Sequence, residues 1–105
     1  MANVIKEDFY VDNDIPIRFD VLVDGEPFKP YSVTVESYGV NRKFLETKHF
    51  NPKSAEVFYL LPRKHVQESG GYGVVFNCRL PKYGMHTEAF RLTVKDRPIK
   101  KRGKK

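Results

Sequence analysis

Tryptophan is absent from this 105-residue chain, and cysteine occurs once, at Cys78. One cysteine excludes an intrachain disulfide and fits a reducing compartment rather than the stapled architecture of small secreted domains. No apolar run is long enough to span a bilayer. The first residues, MANVIKEDFYVDND, are polar and acidic where a secretory signal needs a basic residue followed by an apolar stretch. The expected location is therefore the cytoplasm.

Helical periodicity is almost missing as well. Alternation of apolar and polar residues with a period of two recurs instead, the pattern of half-buried strands. In IPIRFDVLV, Ile15, Ile17, Phe19, Val21 and Val23 share a face, and Asp24-Gly25 signals a turn. YSVTVESY sets Val33 and Val35 inward, and Gly39 breaks it. VNRKFLET is a more polar strand with charges suited to an edge, and HFNPKS reads as a loop. AEVFYLLP alternates until Pro62, and RKHVQESGG crosses over with room for one helical turn. GGYGVVFNCRL, a turn at PKYG, and MHTEAFRLTV close the body. Six or seven short strands with turn signals every 8–12 residues predict a single all-β domain over residues 1–95, a sandwich or a small closed barrel.

Charge is unevenly placed. The last eleven residues hold seven Lys or Arg against one Asp, while the other 94 hold twelve basic and twelve acidic groups. Residues 1–26 lean acidic, with seven Asp or Glu against Lys6 and Arg18. The net charge of +6 thus belongs to these last eleven residues, 95–105, of which 96–105 are expected to form a flexible basic tail. Arg97, Lys100, Lys101, Arg102, Lys104 and Lys105 are suited to phosphates, which would make binding salt-sensitive, or to an acidic protein face. A solubilising end with no specific partner is the plain alternative. Arg42, Lys43, Lys48 and Lys53 would extend a nucleic-acid path onto the body.

The tyrosine of Gly-x-Tyr, at Gly70-Gly71-Tyr72, stands at the mouth of the penultimate strand. This resembles the tyrosine corner of immunoglobulin-like and fibronectin-like β-sandwiches. The resemblance implies that the ring packs on the core while the hydroxyl bonds upstream backbone, with Gly70 and Gly71 allowing a sharp turn. Val74 stands where antibody-type domains place their second disulfide cysteine. The chain therefore looks like a disulfide-free relative of about seven strands, similar to modules of bacterial surface proteins and phage particles. A virion component, of tail, neck or capsid accessory type, is the setting that this resemblance implies.

Chemistry-bearing groups are sparse. Cys78 shares the alternating face of Val74 and Phe76, so it reads as a small buried residue rather than a nucleophile served by His49, His65 or His86. Those histidines lie 16 and 21 residues apart, without zinc spacing, and read as solvated loop residues. Asp12, Asn13 and Asp14 offer oxygens to calcium, or simply start a turn. GGYG precedes a strand and lacks the helix that makes a phosphate loop. No cofactor, no metal and no catalysis are expected. The expected function is a non-catalytic protein-interaction or structural module, with self-association among its modes. A nucleic-acid-binding protein is the alternative, and no membrane contact is expected. Lys64 and His65 in the crossover, with Lys82, Tyr83 and His86 around the last hairpin, are the candidate partner-binding residues.

Overall fold

The computed structural model describes residues 3–97. The strands are β1 (Asn3–Val4), β2 (Phe9–Tyr10), β3 (Ile15–Asp20), β4 (Leu22–Val23), β5 (Glu26–Pro27), β6 (Ser32–Tyr38), β7 (Phe44–Phe50), β8 (Glu56–Leu61), β9 (Gly70–Leu80) and β10 (Gly84–Lys95). Two single 3-10 turns, Val40–Arg42 and Arg63–His65, interrupt them.

The larger sheet has the order β1-β10-β9-β6-β7, and β2 also pairs with β10. Its central ladders are antiparallel, whereas β1 and β2 run parallel to β10. Against this sheet lies the antiparallel pair β3-β8, and β4-β5 is a small separate hairpin. Alternation decides the faces: even-numbered residues from Tyr72 to Leu80 are buried, as are Ile15 and Ile17 on β3 and Val57, Tyr59 and Leu61 on β8. Aromatic edges join the sheets. Phe19 of β3 meets Phe76 at 4.9 Å and Phe90 at 5.4 Å, and Tyr59 of β8 meets Phe76 at 6.1 Å. Burying a ring such as Phe76 is worth about 2–3 kcal/mol, so this cluster is what clamps two strands onto a larger sheet.

Several local readings of the sequence shift. The strand expected over residues 40–47 begins four residues later. Asn41 and Arg42 both adopt left-handed φ, 62° and 61°, and divert the chain before β7 starts at Phe44. His49 and Phe50, expected in a loop, complete that strand. The run Ile15–Val23 is not one strand: β3 stops at Asp20, Val21 is buried, and Leu22 turns out to 52 % exposure in the β4-β5 hairpin. Residues before Asp12, left without structure by the sequence reading, supply β1 and β2.

Candidate functional site

Tyr72 does what the sequence motif implies. Its hydroxyl donates to the Glu68 carbonyl at 2.7 Å and accepts from the Glu68 N–H at 3.3 Å, which ties the crossover to the start of β9. Burial pushes the phenol upward from its ordinary pKa of 10.0. The two glycines beside it differ from each other. Gly70 has φ +138°, and a Cβ there would meet Val40 Cγ2 at 2.8 Å. Gly71 has no such need: its φ is not left-handed, and a Cβ would meet nothing within 4 Å. The sharp turn therefore rests on Gly70 alone.

Lys64 and His65 sit in the 3-10 turn of the crossover, whereas Lys82 and Tyr83 sit in the β9-β10 turn. The eleven residues of β9 lie between them, about 33 Å of strand at 3.3 Å per residue. These candidates are therefore on opposite ends of the domain and form two separate surfaces. Tyr83 is 56 % exposed, with its ring edge-on to Phe28 at 5.3 Å. His86 lies on β10 rather than in the hairpin loop, half-buried, with Nε2 at 2.9 Å from Glu88 Oε2.

His65 is not a solvated loop residue. Its side chain is 22 % exposed, and Nε2 stands 3.3 Å from Glu46 Oε1. The other Glu46 oxygen accepts the Tyr59 hydroxyl at 2.5 Å, and Tyr59 also lies 3.3 Å from the buried Ser37 Oγ. Desolvation first, and the Glu46 hydrogen bond second, push the Tyr59 phenol well above its ordinary range. This cluster joins β6, β7, β8 and the crossover. Its order is Ser–Tyr–Glu–His, and the Ser37 hydroxyl meets tyrosine instead of histidine. Nothing in it activates the serine; what it does is fasten β7 to the smaller sheet. Cys78 is fully buried, and desolvation pushes its thiol up to about 11, which keeps it protonated and unreactive at neutral pH.

Asp12, Asn13 and Asp14 shape a turn. Asp12 has φ 70°, and the Asn13 N–H donates to the Tyr10 carbonyl at 3.2 Å. Asp14 accepts from the Arg63 N–H at 2.7 Å and from its guanidinium at 3.3 Å, which hold its carboxyl below the usual range. No group of three His, Cys, Asp or Glu among the described residues is placed to hold a metal ion. No helix among them is long and apolar enough to cross a membrane. Of the basic tail, Arg97 is described: its Nε donates to the Val11 carbonyl at 3.0 Å. Lys100, Lys101, Arg102, Lys104 and Lys105 lie outside the described residues.

One concavity was not singled out from the sequence. It is an open groove of ≈ 970 Å³ on the outer face of the larger sheet. Register builds it: Arg91 on β10 lies beside Gly73 on β9, Gly73 beside Tyr38 on β6, and Thr93 beside Gly71. Val4 closes one side, and Asn41 and Arg42 form the rim. Gly73, like Gly71, lacks a structural reason to be glycine. A Cβ at Gly73 would find its nearest neighbour, the Phe90 carbonyl oxygen, at an ordinary 3.8 Å. The lining contains two guanidiniums and no carboxylate. Among the described residues neither Arg42 nor Arg91 forms an ion pair. Glu36 lies nearby, accepting the Tyr38 hydroxyl at 3.2 Å. A second hollow of ≈ 450 Å³ shares Gly39, Val40 and Tyr72 with the groove and brings in Lys64, His65 and Phe44.

Comparison with known proteins finds no matching family model, no matching curated protein and no matching solved structure.

Proposed function

We propose that this chain is a non-catalytic interaction module of immunoglobulin-like architecture, and that its binding face is the glycine-floored groove. For the architecture, the support is the strand order: β9 and β10 next to β6 and β7 in one sheet, β3 with β8 in the other, and Tyr72 bonding back across the corner. Fold alone supports no function, so the functional reading rests on the groove.

The observation that carries it is the pair Gly71 and Gly73. Glycine inside a strand costs about 0.5–1 kcal/mol relative to alanine and offers no side chain to pack. Such a cost is common where the backbone must turn or where another group comes close. Neither conformation nor internal crowding asks for glycine at these two positions. The remaining reason is an external one: a partner that approaches the bare backbone of β9. Arg42, in left-handed backbone at the rim, adds local strain of the kind found at binding sites. Two guanidiniums without an ion pair among the described residues favour a partner that presents carboxylates, and Tyr38 offers a rigid aromatic contact. On the sequence resemblance alone, the same reading extends to a component of a phage particle.

The test is selection of extended peptides from a displayed library against the full chain, followed by amide-shift mapping. Binders rich in Asp and Glu that perturb Tyr38, Arg42, Gly71, Gly73 and Arg91 support the reading. Gly71→Val with Gly73→Val should then abolish binding while leaving the fold intact. Binders that map elsewhere, or that survive this double substitution, would sink it.

A further inference from the structure

A different surface carries a second, independent conclusion. Exposed strand edges invite pairing with other chains, and folded proteins blunt them with proline, charge, bulges or cover. The free edge of β3 is blunted by Pro16, Arg18 and Asp20. The free edge of β7 carries Glu46, Lys48 and His49, and the β6-β7 ladder is bulged at Ser37 and Tyr38. The free edge of β8 has none of these devices beyond Glu56 at its start. From Val57 to Leu61 the strand reads Val-Phe-Tyr-Leu-Leu, without charge, proline or glycine. On its outer side Phe58 is 45 % exposed and Leu60 44 % exposed. A short, uncharged segment of high β-propensity is the kind most prone to add another strand.

We infer that β8 pairs antiparallel with β8 of a second copy of this chain, which joins the two β3-β8 pairs into one four-stranded sheet. The backbone direction permits it. Val21 N–H donates to the Ala55 carbonyl at 2.9 Å, which assigns the odd-numbered residues of β8 to the β3 side. By alternation the N–H and C=O groups of Phe58 and Leu60 point to the free edge. The Glu56 N–H is already engaged by Ser54 Oγ at 3.1 Å, and Pro62 has no N–H, so the ladder is bounded at both ends. Setting Phe58 opposite Leu60 of the second copy gives a two-fold arrangement in which each apolar side chain covers its counterpart. Charge favours the same orientation. Glu56, 3.7 Å from Arg18, stands at the start of β8, and Lys64 follows its end, beyond Arg63, which is held by Asp14. Antiparallel pairing brings acid to base, whereas parallel pairing would bring Glu56 beside Glu56. A single strand pair buries less than a standard interface, so association should be reversible, half-complete at roughly 0.1 mM.

Sedimentation equilibrium of the full chain, from about 10 µM to about 1 mM, tests this directly. The expected result is a monomer–dimer equilibrium. Phe58→Lys and Leu60→Lys should each weaken it at least about tenfold, while Phe44→Lys, at a still more exposed aromatic of β7, should leave it unchanged. In the unmodified chain the amides of Phe58 and Leu60 should gain exchange protection as concentration rises, a readout that needs no variant to fold. A monomer at every concentration, assembly beyond a dimer, or a dimer that tolerates both lysines would overturn the assignment.

Discussion

The Tyr72 hydroxyl and the Glu68 carbonyl oxygen are 2.7 Å apart, four residues from one another along the chain, and this bond fixes the angle at which the crossover delivers β9 to the larger sheet. The Tyr72 side chain is 5 % exposed while Glu68 is exposed, so removing the hydroxyl breaks a part-buried bond and takes from the Glu68 backbone both its donor and its acceptor. Tyr72→Phe should cost about 1–2 kcal/mol. For a chain of this size that is a fall in Tm of roughly 5–12 °C. Thermal unfolding followed by circular dichroism reads it, and an unchanged Tm would remove the bond from the list of forces holding this corner.

The neighbouring glycines predict opposite signs. Gly70→Ala must force Cβ against Val40 and strain a φ of +138°, so it should destabilise by more than about 1 kcal/mol. Gly71→Val places a β-branched side chain into open space on an extended strand and Gly73→Val places one at an ordinary contact distance from the Phe90 carbonyl, and each should be neutral or stabilising by up to about 1 kcal/mol. Chemical denaturation of the three variants decides it. If Gly71→Val and Gly73→Val destabilise as Gly70→Ala does, these glycines serve the fold and the groove loses its main support.

Alkaline pH should unfold the protein earlier than its charge suggests. Burial pushes the Cys78 thiol up to about 11 from an ordinary 9.0, and it pushes the Tyr59 and Tyr72 phenols above 10.0. In each case the folded chain keeps a proton that the unfolded chain has released. The stabilisation is therefore complete below the unfolded pKa and is lost as pH rises towards the folded one. For Cys78 the window is pH 9 to 11, and the loss is about 2–3 kcal/mol. Cys78→Ala should flatten that part of the stability curve at the cost of a small cavity. Native protein should also resist thiol reagents at pH 8; rapid labelling there would contradict the burial of Cys78.

Tyr59 and Glu46 predict a coupled pair. Tyr59→Phe takes a donor from the Glu46 carboxylate and leaves the buried Ser37 hydroxyl only its 3.4 Å bond to the Glu46 carbonyl, at a cost of about 1–2 kcal/mol. Glu46→Gln should cost less on its own, and the two changes together should cost less than their sum, because both break one contact. A double-mutant cycle measures the coupling. Strict additivity would mean that β7 is held to the smaller sheet by apolar contacts alone.

The strand pattern was legible where one face is buried and the other wet. Val33 and Val35, and the even residues from Tyr72 to Leu80, alternate in the sequence and in the structure, whereas Val57 to Leu61 is apolar throughout and alternates only in burial. The sequence was misleading where alternation met backbone geometry. Asn41 and Arg42 turn left-handed and delay β7, and Val21 to Val23 continue an apolar pattern through a break in the strand. β1 and β2 are two residues each, too short for any period to register, and their pairing with β10 spans more than 80 residues of chain.

What the sequence determined by itself is local: period-two patterning makes strands, Pro62 and Asp24-Gly25 end them, and Tyr72 after Gly70 marks a corner, because each depends on the covalent geometry of a few neighbouring residues. Tertiary structure decided what lies side by side. Arg91, Gly73 and Tyr38 form one row only through the registers of β10, β9 and β6, and His65 meets Glu46 only because the crossover folds back over β7. The exposed edge of β8 arises in the same way, since a strand is an edge only once its sheet is known. Register and edge are properties of pairing between distant segments, and a linear pattern with a period of two is the same whichever neighbour a strand takes.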